Sequence, residues 1–225
     1  MATRKQRAPR RTDALSKERI MDAAIGILDA EGERALTFRA LTARLATGSG
    51  AIYHHVANKE ELLAAAADAV VARALSEVAA GAEPREAIRA IALGAFDAID
   101  AHPWVGTQLS IEPWHSAALR IFEAVGQRLD ALGVPERAQF DCASALVSYI
   151  LGLAGQYAAA ARRLAPGTER TAFLDGFATQ WSRLADTEYP FLRKVAPQLR
   201  DHDDREQFLA GVDLWLTGIG GVRNP

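Results

Sequence analysis

The chain has one cysteine, Cys142, among its 225 residues. A lone thiol makes neither an internal disulfide nor a cysteine-rich zinc site, so packing has to hold the fold, as suits a reducing compartment. No run of eighteen or more apolar residues occurs, which leaves no membrane-spanning helix to expect. The N-terminus is basic but lacks the apolar segment and cleavage site of a secretory leader, so a cytoplasmic protein is expected. Catalytic signatures are missing too: there is no GxSxG elbow, phosphate loop or HExxH, and Cys142 has no evident histidine partner. The GxG at residues 48–50 follows a helical pattern rather than a strand, and Tyr53 stands where a dinucleotide fingerprint needs its third glycine. The expectation is a protein that is not an enzyme and takes no cofactor.

Metal is not expected either. His54 and His55 are neighbours, and neighbours on a helix do not face the same way. Asp97, Asp100, His102 and His115 lack any zinc-ligand spacing.

What the chain does have is apolar mass, 49% of its residues, and an uneven charge. That mass can build a sizeable core, read here as a small domain joined to a larger one. Residues 1–59 hold eleven Lys and Arg against six Asp and Glu, leaving fifteen against twenty-two in the rest. A basic head suits a surface that neutralises phosphates, and an acidic body keeps the protein soluble. Arg4, Lys5, Arg7, Arg10 and Arg11 make residues 1–15 a basic arm, open to two readings: a tracker of the DNA backbone or minor groove, or a solvated tail.

Helical spacing organises the head. Ser16 can cap a first helix that carries Ile20, Ala23, Ala24, Ile27 and Leu28 on one face and ends near Gly32. Thr37 can cap a short second one with Phe38, Leu41 and Leu45 on its inner face. Residues 46–48 break the pattern before a second short segment with Ala51, Ile52 and Val56. Two short helices with a tight turn between them fit a helix-turn-helix, whose second helix enters the major groove. Asn58 with Glu61 three residues on makes a capping-box signature for a fourth helix over residues 59–80.

The residues Leu36-Thr37, Leu41, Leu45, Ala51-Ile52-Tyr53, His55-Val56 and Asn58-Lys59-Glu60-Glu61-Leu62 resemble the TetR family of bacterial transcriptional regulators. The family pattern usually has Ala where Thr42 stands and Gly where Ala46 stands. The resemblance implies DNA-facing roles for Thr37, Arg39, Ser49, Gly50, Ala51, Tyr53, His54, His55 and Lys59. Of these, Tyr53, His55 and Lys59 match phosphate-holding positions, and Arg39, Ser49, Gly50 and Ala51 match base-facing ones. An arginine can give guanine two hydrogen bonds, and an alanine can touch a thymine methyl. His54 can reach either. Tyr53 has a second reading, as an aromatic that props the turn, and its apolar body and polar tip let it do both.

The body reads as all-α, with helices over residues 84–102, 104–111, 115–132 and 135–163, further helices over 171–195, and a last one over 205–219. Its closing segment, Tyr189-Pro190 and residues 208–216, also resembles tetracycline-repressor-like C-terminal domains. The chain is thus expected to be all-α, with a helix-turn-helix at residues 16–63 and an effector-binding and dimerisation domain at 64–225. Phe96, Trp104, Gln108, Trp114, His115, Phe122, Tyr157, Phe177 and Trp181 form a candidate pocket for a largely apolar or aromatic effector, and any one of them could equally be core. Residues 143–157 and 208–219 are apolar almost all round, so each is either a core helix or a dimer helix. Leu151, Gly152, Gly155, Leu214 and Trp215 are the candidate contacts. In the family these two helices form a four-helix interface, and residues 104–111 transmit ligand binding to the fourth helix. The function these readings imply is a homodimeric repressor of a palindromic operator, released by a small molecule. The alternative is a body that binds a protein partner.

Overall fold

The computed structural model describes residues 15–79, 81–111, 116–163 and 170–223, and these fold into helices without a strand. The contacts divide the chain after Ala69 into two compact units.

The first unit is built by its caps. Helix α1, Lys17–Glu31, begins where Ser16 Oγ accepts from the Arg19 N–H at 3.2 Å. It ends at Gly32, whose φ of 78° lets its N–H turn back to the Leu28 carbonyl. Helix α2, Phe38–Leu45, starts under Thr37, whose Oγ1 accepts from the Ala40 N–H at 3.1 Å. Helix α3, Ser49–Tyr53, follows Gly48 and has no side-chain cap. Helix α4, Lys59–Ser76, opens with the expected box in a shifted form: Asn58 Oδ1 accepts from the Glu61 N–H, and Glu61 reaches past the cap to the Ala57 N–H, both at 2.7 Å. Ile20, Leu36, Leu41 and Ile52 are wholly buried together with Val56 and Leu62. Each such side chain contributes about 1.5–3 kcal/mol on leaving water.

The second unit is arranged around one long helix. The C-terminal turns of α4 lead to α5, Pro84–Ala101, where Glu83 caps a helix with proline in its first turn. There follow α6, Pro103–Ile111, α7, Ser116–Ala131, and α8, Glu136–Arg163. Next come α9, Arg170–Ser182, α10, Pro190–Val195, a 3-10 turn at Ala196–Leu199, and α11, Asp204–Arg223. Helices α5, α6, α7 and α11 all pack on α8, while α9 packs on α10 and the 3-10 turn. Ile88, Ile121, Leu129, Leu146 and Phe208 fill the centre.

Helix α11 lies across α5 in a defined register. Arg205 holds Asp97 through two contacts of 3.1 and 3.3 Å. Eight residues back along α5 and eight on along α11, Arg89 Nη2 donates to Asp213 at 3.2 Å, and Arg89 Nε sits 2.8 Å from the same carboxylate without the alignment of a hydrogen bond. Between the pairs, Phe208 stacks on Phe96 with ring centroids 4.8 Å apart and on Tyr149 of α8 at 5.6 Å.

The all-α expectation holds, with shifted boundaries. Helix α3 starts at Ser49, because Gly48 in extended conformation can serve as its cap, and it closes at Tyr53. Helix α4 stops at Ser76, whose Oγ donates to the Arg73 carbonyl, earlier than the expected residue 80. The helices expected over residues 171–195 are α9 and α10, separated by residues 183–189, with Pro190 in the first turn of the second.

Candidate nucleic-acid interface and effector body

The head gathers the residues expected to face DNA on a few turns. Arg39 is exposed on α2, and Ser49, Gly50 and Ala51 are exposed on the first turn of α3. Nothing longer than a serine hydroxyl extends from that turn, and a Cβ added at Gly50 would meet no atom within 4 Å. The tip is therefore bare enough for its backbone to come close to a groove floor. Tyr53 closes α3 with 52% of its surface exposed, and its ring lies flat on Phe38 of α2 at 4.4 Å and 11°. One ring face thus props α3 against α2, and the rest of the side chain faces solvent.

His54 and His55 form the turn after α3, with their rings 6.0 Å apart and nearly perpendicular. Thr37 accepts the α2 cap bond through its hydroxyl oxygen and keeps its O–H as a donor. Lys59 is half-buried, and its Nζ donates to the Glu33 carbonyl at 2.8 Å, tying the start of α4 to the α1–α2 connection. An ammonium carries three donors, so this tie leaves capacity for a phosphate. Sequence spacing showed neither the Phe38 prop nor the Lys59 tie, because each joins residues that no helical period relates.

Ala46 closes α2 in the left-handed region, at φ 50° and ψ 45°, and is the one described non-glycine residue with positive φ. An L side chain there costs about 1–2 kcal/mol, which glycine avoids. Ala46→Gly is therefore expected to stabilise the head by about 1 kcal/mol, after the larger unfolded-state entropy of glycine is allowed for. Amide hydrogen exchange in α1 to α3 checks this; unchanged or faster exchange would contradict it.

The body separates the candidate effector residues. Phe96 is buried against Phe208, and Trp104 is buried on α6 near the His102 ring. Gln108 is half-buried on α6. Phe122 faces a groove between α7 and α8, with Phe140 at 5.9 Å. Phe177 and Trp181 lie on α9, where Phe177 is exposed and touches Phe173 edge-on. Trp114, His115 and the side chain of Tyr157 lie outside the described residues. A second hollow, about 600 Å³, opens between the last turns of α4 and α7, with Leu75, Ser76, Leu119, Glu123 and Gln127 in its walls.

Of the candidate dimer contacts, Leu214 is 75% exposed and Gly152 is exposed; Leu151, Gly155 and Trp215 are half-buried. Gly155 packs against α6, since a Cβ there would come within 3.1 Å of Ser110 Oγ.

Among the described residues, no group of three His, Cys, Asp or Glu is placed to hold a metal ion, and no helix is long and apolar enough to cross a membrane. Partial burial and the neighbouring Asp141 push the Cys142 thiol up, which disfavours the thiolate. Its alkylation by iodoacetamide at pH 8 is expected to be slower than that of free cysteine. An equal or faster rate would show an activated thiol.

Comparison with known proteins covers both units. Residues 20–66 match the model for bacterial regulatory proteins of the tetR family, and residues 81–222 match that for the tetracyclin repressor-like C-terminal domain. The transcriptional regulator SCO7222, a TetR from Streptomyces coelicolor, is 53% identical, with 93% of this chain and 100% of that one covered at a TM-score of 0.85. ActR of Streptomyces coelicolor, solved in complex with actinorhodin, is 25% identical, with 94% and 99% covered at a TM-score of 0.72. The HTH-type transcriptional repressor DrrR1 of Streptomyces coeruleorubidus is 34% identical over 103 residues, 45% of this chain and 37% of that protein. Matches to curated relatives span less than two thirds of their lengths, 64% and 37% in two cases.

Proposed function

Because the chain belongs to the TetR family of bacterial transcription regulators, we propose that it acts as a homodimeric repressor whose two heads grip a palindromic operator and whose body binds a small molecule that loosens the grip. The observation that carries this is the head itself. A bare α3 tip, a propped Tyr53 and an exposed Arg39 stand together on one small unit. Phosphate contacts fix such a head on the duplex, with Tyr53, His55 and Lys59 in that role. Base edges are left to Arg39, Ser49 and Ala51. A single five-residue helix covers few bases, so a two-fold dimer that places two of them in successive major grooves gives the needed length. Occupying a promoter blocks transcription without any further surface, which favours repression; DrrR1 is itself a repressor.

The effector belongs in the body. Among the described residues no polar or charged side chain is buried, so a molecule held among α5, α6, α7 and α8 meets apolar walls such as Phe96 and Trp104. That chemistry suits a largely apolar or aromatic ligand with few polar groups. ActR, which binds actinorhodin, shares the fold and supports a small-molecule role. The hollow between α4 and α7 offers a route by which a bound molecule displaces α4. To release DNA, the effector must bind the released state more tightly than the DNA-bound one.

A second reading has the body dock a protein. Phe173, Phe177, Tyr189 and Phe191 are exposed on α9 and at α10, and such aromatics suit a protein contact.

The test is selection of bound genomic fragments by the purified protein at near-physiological salt, followed by footprinting. A protected palindrome with half-sites about one helical turn apart is expected. Enrichment of nothing beyond a salt-sensitive background would overturn the repressor reading.

A further inference from the structure

We propose that Leu214 of each subunit seats in the α7–α8 groove of its partner, so that the subunit interface runs from the outer face of α11 across α8 and on to α7. This rests on the dimer reading above and names its anchor. The outward faces of α8 and α11 consist mostly of small side chains: Ala145, Ser148 and Gly152 on one, Ala210, Thr217 and Gly218 on the other. Small residues let two helices approach closely but supply little apolar area. A stable interface buries about 800 Å² on each partner and concentrates its energy in a few large anchors. From α11 two large apolar side chains protrude, Leu214 and, less far, Val222, and Leu214 is the most exposed large hydrophobic residue among those described.

A matching hollow lies along the other edge of α8. It is a groove of about 410 Å³ formed by Leu119, Phe122, Phe140, Val147 and Leu151, with no charged residue in its wall among the described residues. Its rim residues Leu119 and Phe140 are 49% and 63% exposed, a cost in water that a partner would remove. Among the described residues, the only polar side chains in the wall are two serines one helical turn apart, Ser144 and Ser148. Small-molecule sites carry converging polar groups that fix orientation, so this wall suits an aliphatic knob better than a ligand. Two-fold symmetry makes the contact reciprocal, which gives two leucine anchors per dimer.

Disulfide trapping between differently tagged subunits tests it in the full chain, with Cys142→Ser as background. One subunit carries Leu214→Cys and the other Phe140→Cys, and sedimentation of the background protein gives its assembly state. The expected result is a dimer whose mixed pair cross-links under mild oxidation, while Leu214→Cys alone does not. Cross-linking of Leu214→Cys with itself and not with Phe140→Cys would overturn the proposal, as would a sedimenting dimer that forms neither bond. A protein that sediments as a monomer would instead overturn the dimer reading on which it rests. Leu214→Asp, at a position with little intrachain contact, is expected to weaken dimerisation by about 30-fold or more while leaving the helical circular dichroism unchanged. A folded Leu214→Asp variant of undiminished affinity would also count against the contact.

Discussion

Phe208→Ala is expected to lower the unfolding free energy of the body by about 3–5 kcal/mol, the range for emptying a buried phenylalanine site. Phe208 is fully buried, its ring is stacked on Phe96 and Tyr149, and its carbonyl accepts from Tyr149 Oη at 3.2 Å. Three helices, α5, α8 and α11, meet at this one side chain, so the void cannot close by moving any one of them. Gly211, one turn along α11, has no room for a Cβ because the Tyr149 ring occupies that space. Tyr149 is thus confined, and partial burial pushes its hydroxyl pKa up. All four tryptophans, Trp104, Trp114, Trp181 and Trp215, lie in the second unit, so their fluorescence in a urea titration follows the body alone. A loss below about 1 kcal/mol would mean that the site collapses easily and that the stack is not a tight core. Phe208→Leu, which keeps most of the volume, should cost less, about 1–1.5 kcal/mol.

The second large effect is expected at the head. Arg39→Ala should weaken operator binding by about 5- to 150-fold, the 1–3 kcal/mol of a two-bond arginine–guanine contact, and should relax preference at one base pair in each half-site. Tyr53→Ala should weaken binding to every sequence alike, because it removes both a phosphate contact and the face that lies on Phe38. Titration against single-base operator variants separates the two. A uniform loss for Arg39→Ala, with a salt slope reduced by about one, would move that residue from base to phosphate. Tyr53→Phe then divides the tyrosine's two roles: it keeps the stack and loses the hydroxyl. Binding by Tyr53→Phe as weak as by Tyr53→Ala would assign the whole effect to the hydroxyl.

Local chemistry made most of the helices legible. Ser16, Thr37 and Asn58 announced three helix starts, because each carries an oxygen that accepts an otherwise unpaired backbone N–H. Gly32 and the His102-Pro103 step announced stops. The start of α3 was harder to read, since Gly48 caps without a side chain and its signal is weak. The family pattern, with glycine where Ala46 stands, did point to the strained turn that the φ of Ala46 reveals. Pairings between distant residues could not be read at all. Phe96 was grouped with Phe122, Phe177 and Trp181 because all are aromatic residues in a helical body. Its ring partner is Phe208, more than a hundred residues away, whereas Phe177 and Trp181 belong to a helix packed on α10. Composition says that aromatics will be buried together; only the path of the chain decides which ones.

The two arginine–aspartate bridges between α5 and α11 are half exposed, so they supply little net stability. Their order along the helices carries more information than their strength. Arginine then aspartate on α5 faces aspartate then arginine on α11, each eight residues apart. If the last helix docked two turns out of place in one direction, Arg89 would face Arg205; in the other, Asp97 would face Asp213. Like charges would meet in either case. The bridges therefore act as a parity check on docking, penalising wrong alignments more than they reward the right one. Such a check depends on the order of the charges and not on their sign: inverting all four should preserve it, whereas inverting both members of one bridge keeps the right pairing but lets opposite charges meet in either shifted alignment as well.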